Sequence, residues 1–263
     1  MHTPNIRTLL LIAMVVLAST LGACQSQPRV DPTLLRIVPL NEGIDARIGL
    51  DVEVRNLRGI VQVVEVPGSV EALVRVRGYG RTGESRPGEA VILLREGRPT
   101  LNIEARGSPL DPTPTQILVE IPKVQGVRVV NSGGSVYVYG GAGPIAVTND
   151  VYGTIRADGS GGTGGDVRVY LTRGVVGDIS ILNGVGDVSL TLPSSSSLAF
   201  DVETLEGRVE VNSEIKPSRV VSTGNSWHGV THLGEANALI RTTRGEARVS
   251  LLREVRMPQP MLR

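Results

Sequence analysis

From Gly126 to Val211 the chain is a succession of apolar-x-apolar units cut at near-regular intervals by glycine. Val127-Arg128-Val129, Val136-Tyr137-Val138, Ile145-Ala146-Val147, Ile155-Arg156-Ala157, Val167-Arg168-Val169, Ile179-Ser180-Ile181, Val188-Ser189-Leu190, Phe200-Asp201-Val202 and Val209-Glu210-Val211 share the form. A period of two places both flanking side chains on one face of a short strand, the pattern of a strand with one buried side. No run of ten or more residues free of Gly and Pro carries a helical period. Aromatic residues are only 3% of the chain, so a core has to be built from Val, Ile and Leu in even layers. The fold class expected is all-β.

The unit starts recur in two interleaved series. Ile145, Val167, Val188 and Val209 follow one another by 22, 21 and 21 residues; Val136, Ile155, Ile179, Phe200 and Val220 follow by 19, 24, 21 and 20. A fixed length per turn is what a stack of coils needs, since each coil must lie on the last. The spacing predicts a right-handed β-helix or β-solenoid-like stack of about 21 residues per coil in the central part, its hand taken from the general rule for parallel crossovers. Further strands are expected at Leu35–Val38, Ile48–Val54, Ile60–Val66, Ala72–Val76, Ala90–Leu94, Leu101–Ile103 and Ile117–Ile121. Asp111-Pro112-Thr113-Pro114-Thr115 reads as a loop within one body rather than a linker, giving a single domain over 34–255 and a tail at 256–263.

The first 23 residues have the form of an export signal. Arg7 precedes an uncharged apolar run, Thr8 to Thr20, which is too short to span a bilayer. Leu21-Gly22-Ala23-Cys24 resembles the lipobox of bacterial lipoproteins, which implies cleavage after Ala23 and lipidation of Cys24, with 24–33 as a tether. The competing reading is an ordinary secretory signal, or an uncleaved anchor, with an incidental cysteine. Cys24 is the sole cysteine, so its use as an anchor leaves no thiol for disulfides, metal or nucleophilic catalysis. Gln25 resembles the default outer-membrane sorting residue of diderm bacteria. The expected location is the cell envelope, with the membrane as partner through the lipid. Loss of Arg7 leaves 26 basic side chains against 26 acidic ones, and nothing in that balance points to nucleic acid.

Val119-Glu120-Ile121-Pro122, followed by Val127 to Val136, resembles the start of the repeat in the bacterial "putative adhesin" domain family of envelope proteins. Gly177-Asp178-Ile179-Ser180-Ile181-Leu182-Asn183-Gly184-Val185-Gly186-Asp187-Val188 and Ile240 to Val249 fit the same repeated form. The resemblance spans about Val52 to Leu252 and departs at Arg208 and Glu246, where the family favours Asp after Gly, and in the long segment from Asn212 to Glu235. It implies a β-solenoid and no catalytic residues.

The chemistry on offer is sparse. Gly161-Gly162-Thr163-Gly164-Gly165-Asp166 matches the front of a calcium nonapeptide, but it stands as one copy where tandem copies are needed, and reads as a turn. His228 and His232 have i, i+4 spacing among Gly224, Gly229 and Gly234, which argues against the helix that would join them on zinc. Trp227 reads as a plug over a coil end. Asp166, Asp178 and Asp187 each follow glycine, where aspartate can bond its own backbone. No catalytic, metal or cofactor set is therefore expected. The outward face of Tyr137, Tyr139, Arg156, Arg168 and Tyr170 is the candidate binding surface for a glycan or an envelope protein. The expected function is a non-enzymatic binding, adhesion-type or scaffold module. Its rival is a carbohydrate-active enzyme using those aspartates on the same scaffold.

Overall fold

The structure is a computed structural model that describes residues 34–39, 49–79, 85–87, 90–95, 100–105, 114–149, 164–175 and 177–256. All belong to one compact unit, Pro32–Arg263. Among the described residues there are twenty strands and no helix: β1 (Leu34–Pro39), β2 (Leu50–Asn56), β3 (Val61–Glu65), β4 (Glu71–Tyr79), β5 (Ser85–Pro87), β6 (Ala90–Arg95), β7 (Thr100–Ala105), β8 (Thr115–Ile121), β9 (Val124–Asn131), β10 (Val136–Tyr139), β11 (Ile145–Asn149), β12 (Val167–Tyr170), β13 (Ile179–Val185), β14 (Val188–Pro193), β15 (Leu198–Glu206), β16 (Val209–Ser213), β17 (Ser218–Ser222), β18 (Ser226–Val230), β19 (Ala236–Arg244) and β20 (Ala247–Leu252). They form two ten-stranded sheets. The first runs β1-β4-β8-β3-β10-β12-β14-β20-β16, with β5 on β4; the second runs β17-β18-β15-β19-β13-β11-β9-β2-β7-β6.

The inward residues of both sheets make one aliphatic core, from Leu50 and Val52 to Val249 and Leu251. Parallel pairing dominates the middle of each sheet; the margins are antiparallel except at β16, which pairs parallel with β20. This all-β result agrees with the period-two reading of the sequence.

A two-strand unit organises the centre. Six units each place one strand in the second sheet and the next in the first. Their starts are Val52/Val61, Val127/Val136, Ile145/Val167, Ile179/Val188, Phe200/Val209 and Ala238/Ala247. In five of the six the second start follows the first by nine residues; in Ile145/Val167 it follows by 22. Four residues after each first start lies an inward polar residue, and two before each second start lies a glycine.

The polar positions align across the second sheet as Asn56, Asn131, Asn149, Asn183, Thr242 and Thr204, all buried. Asn131 Nδ2 donates to Asn149 Oδ1 at 3.0 Å, and Asn149 Nδ2 to Asn183 Oδ1 at 2.9 Å. The same amides donate to glycine carbonyls at the turns: Asn149 to Gly134 at 2.9 Å and Gly165 at 3.2 Å, Asn183 to Gly186 at 2.9 Å. Thr242 and Thr204 take over the role through hydroxyls, to Gly186 at 3.1 Å and Gly245 at 2.9 Å. Buried backbone carbonyls that a turn leaves unpaired need such donors.

Glycine at the turn is required by proximity. A Cβ on Gly165 would lie 2.1 Å from the Gly134 carbonyl oxygen, and one on Gly207 would lie 2.0 Å from that of Gly245. Backbone rests on backbone down the column, and only glycine leaves the room.

Two sequence expectations are corrected here. Ile145 lies in the second sheet, between Val127 and Ile179, so it does not head the series that contains Val167; Val136 lies in the first, beside Val167. The Ile145/Val167 unit is thirteen residues longer than the others, which moved the spacing into the wrong phase; the expected strand at Ile155 falls outside the described residues. Further on, Val188 is not followed by Val209, because Ala247 pairs with both, and Ala238 likewise separates Ile179 from Phe200. An apolar-x-apolar pair marks a buried side but does not say which neighbour lies against it.

The Gly-Asp pairs also differ from expectation. Asp166 Oδ1 accepts the Asp187 N–H at 3.1 Å, Asp187 Oδ1 that of Glu246 at 2.9 Å, and Asp178 Oδ1 that of Asn237 at 2.8 Å. Each aspartate holds the backbone of the next unit rather than its own turn. Glu246 and Arg208 continue this edge as a 2.7 Å ion pair.

Candidate binding faces

Alternation along β10 and β12 turns Tyr137, Tyr139, Arg168 and Tyr170 out of the core on the first sheet, and parallel register sets Tyr137 beside Arg168 and Tyr139 beside Tyr170. The rings stack: Tyr137 on Tyr139 with centroids 6.3 Å apart, Tyr139 on Tyr170 at 5.4 Å. The Arg168 guanidinium lies 5.9 Å from the Tyr137 centroid and pairs with Asp166 at 3.0 Å. Burial works against that charge, yet the Asp166 hydrogen bond, with help from its carboxylate and the flanking tyrosines, raises the guanidinium's pKa. The four residues are thus contiguous, whereas Arg156 lies outside the described residues, as do Leu21, Gly22, Ala23 and Cys24.

Tyr139 differs from the reading that made it an open contact. It is 3% exposed and forms a second apolar cluster with Val64 and Leu118, against which Tyr137 and Tyr170 pack. Burial first, then the neighbouring Tyr170 and Tyr137, push its phenol above the ordinary tyrosine value, against a smaller opposing pull from Arg168. What this face offers a partner is half-buried Tyr137 and Tyr170 with the rim of Arg168.

The outward face of the second sheet carries a feature that sequence reasoning missed. Arg241 on β19 grips Asp201 with both guanidinium nitrogens, at 3.0 and 2.6 Å, and reaches Glu203 at 3.0 Å. His228 Nδ1 is 3.0 Å from Asp201 on the other side. Beside this cluster is a shallow depression of about 390 Å³ lined by Thr148, Leu182, Glu203, Leu205, Arg241 and Thr243 among others. Leu205 is 70% exposed there. Asp201 and Glu203 are legible as outward acids, but their partner Arg241 lies 38 or more residues on, beyond what local spacing indicates.

The remaining candidates resolve individually. His228 stands on β18 and His232 in the turn after it, where its Nε2–H donates to the Ser194 carbonyl at 2.8 Å. Among the described residues no three His, Cys, Asp or Glu side chains gather to hold a metal ion. Gly165 and Asp166, from the nonapeptide-like run, serve the glycine column and the inter-unit bonds. Trp227 is buried edge-on against Phe200, centroids 5.7 Å apart, on the second strand of the β17–β18 hairpin, whose turn carbonyls at Asn225 and Gly224 accept the Thr204 and Val209 N–H groups.

No protein-family model matches the chain, and no curated protein matches it. Among solved structures, it is similar to a "putative cell adhesion protein" from Clostridium sporogenes ATCC 15579, with a TM-score of 0.48 at 12% identity, covering 82% of this chain and 97% of that one. It is similar to a "putative adhesin" from Bacteroides fragilis NCTC 9343 with a TM-score of 0.30 at 9% identity, covering 76% and 91%.

Proposed function

We propose that this chain is a lipid-anchored, non-enzymatic binding or scaffold module of the cell envelope, whose body is a right-handed, β-solenoid-like stack. The observation that carries the reading is how the periodic polar residues are used. Asn131, Asn149 and Asn183 are committed to turn carbonyls, and Asp166, Asp178 and Asp187 to the backbone of neighbouring units. A carboxylate already holding a backbone N–H is poorly placed to pass protons to a substrate. The repeat therefore builds a rigid support, and what it presents is sheet surface: Tyr137, Tyr170 and Arg168 on one side, a glycan or envelope protein being the partner such a face suits. The anchor rests on Leu21-Gly22-Ala23-Cys24, and Gln25 favours the outer membrane of a diderm host.

Two experiments test this. Metabolic labelling with an alkyne fatty acid is expected to mark the protein and to lose the mark in Cys24→Ala, which leaves the membrane fraction; labelling that survives the substitution refutes the anchor. A glycan array and an envelope pull-down are expected to give binding that Tyr137→Ala with Tyr170→Ala abolishes. Binding that persists removes this face. Polysaccharide cleavage that is lost in Asp166→Asn or Asp187→Asn supports the enzymatic rival instead.

A further inference from the structure

The order of the six units in space is not their order along the chain. Ile179/Val188 and Phe200/Val209 are consecutive in sequence, yet Ala238/Ala247 lies between them in both sheets. Its β19 is paired with β13 on one side and β15 on the other, and its β20 with β14 and β16. The slot is therefore two-sided and takes one strand-turn-strand unit with glycine at the turn. The neighbours fit that same template. Residues 179–190 and 200–211 carry apolar, polar and glycine positions at matching places, so the pattern itself does not dictate that the slot be filled from within one chain.

The inserted unit hangs on a short hinge, residues 231–235, between β18 and β19. His232 there is a non-glycine residue at φ 51°, a conformation costly for most L-residues. Bonds to the loop ahead of β15 hold it: His232 to the Ser194 carbonyl, Thr231 Oγ1 to that of Ser196 at 2.7 Å, and the Leu233 N–H to Ser197 Oγ at 3.2 Å. Short hinges under strain favour exchange of the element that they carry, because every contact of that element can be remade in another copy while the hinge relaxes.

We propose that Ala236–Leu252 is an exchangeable unit, seating in the corresponding slot of a second copy of this chain as well as in its own. The exchange links copies without any new interface, and reciprocal exchange gives a closed dimer whereas head-to-tail exchange gives chains.

Ser180 on β13 and Leu239 on β19 are direct cross-strand neighbours, so cysteines there report which copy fills the slot. Full-length Ser180→Cys and Leu239→Cys forms carrying different tags are co-expressed, oxidised and separated without reductant. A reducible mixed-tag species of twice the chain mass is expected. It should be absent when either form is paired with unsubstituted protein, which excludes linkage through Cys24. It should fall sharply when Gly-Ser-Gly is inserted after Leu233 in both forms, since a longer hinge lets the unit close on its own slot. The double variant Ser180→Cys/Leu239→Cys reports self-insertion in one chain. Internal closure in that variant with no mixed-tag species overturns the proposal. So does failure of both cross-links, because β19 then does not lie beside β13.

Discussion

Asn149 is the most informative single position in the fold. It is fully buried, donates to the Gly134 and Gly165 carbonyls and to Asn183 Oδ1, and accepts from Asn131 Nδ2. Asn149→Ala removes all four bonds at once, but their loss is unequal. The Gly134 carbonyl keeps the Asn131 donor and the Gly165 carbonyl keeps Asn183, whereas Asn183 Oδ1 loses the donor that Asn149 supplied. A buried acceptor stranded in this way costs about 1–3 kcal/mol, and the lost bond from Asn131 adds about 1 kcal/mol, which gives about 2–4 kcal/mol in all. With a urea m-value of about 2–3 kcal/mol/M, the unfolding midpoint should fall by about 1–2 M with an unchanged slope. Asn149→Thr should lose roughly half as much, because Thr242 at the same place in the next-but-one unit donates to its turn glycine through a hydroxyl. Asn149→Asp reverses the pH response. Its carboxylate would face three acceptors, so its folded pKa is raised; stability is retained at low pH, where the group is protonated and can donate, and is lost as pH rises through that pKa. Equilibrium urea titrations at several pH values measure all three. An Asn149→Ala midpoint within about 0.2 M of the parent, or a threonine variant no better than alanine, would refute the assignment of the column as a stabilising element.

Gly165→Ala should prevent folding, since its Cβ meets a backbone oxygen that cannot move aside, whereas Gly174→Ala, whose nearest neighbour is the Ser195 hydroxyl at 3.3 Å, should fall within about 1 kcal/mol of the parent; circular dichroism melts distinguish them. Trp227→Ala should cost about 3–5 kcal/mol by emptying the space against Phe200. Gly229→Ala should displace the indole, which lies 2.5 Å from the position of the added Cβ, and shift the emission of the sole tryptophan to the red. The raised Tyr139 pKa favours the folded state while the phenol is neutral; that contribution is present below the ordinary value of 10.0 and is lost as pH rises through the folded pKa. Absorbance titration at 295 nm should show one late-ionising tyrosine that is absent in Tyr139→Phe.

The strands were legible in the sequence because alternation of Val, Ile and Leu survives in nearly every one. Their neighbours were not, and the reason is the regularity itself: β13, β15 and β19 offer the same pattern in the same register, so any of them can be drawn beside another. A clearer signal lay unused in the chain. Asn131 and Asn183 each stand four residues after a unit start and three before a glycine, and that offset marks each two-strand unit. The candidate face was half legible. Alternation placed Tyr137, Arg168 and Tyr170 together, but outward does not mean exposed, and Tyr139 is covered. Val61-Gln62-Val63-Val64 and Ile117-Leu118-Val119 carried the warning, since apolar residues on both alternate positions mark strands buried on two sides. The Arg241 cluster was not accessible from spacing, because it joins strands that only the out-of-order insertion makes adjacent.

The position of Ala236–Leu252 also bears on how the protein is made. Whichever side of the membrane it folds on, a chain that emerges N-terminus first presents residues 179–213 before the unit that belongs between their two halves. Until that unit arrives, the earlier strands can pair only with each other, in a stack one layer too short. A polypeptide cut after residue 235 would accordingly lose material from the interior of the stack and not from its end. Pulse-labelled chains should pass through a protease-sensitive stage that resolves when the final layer enters.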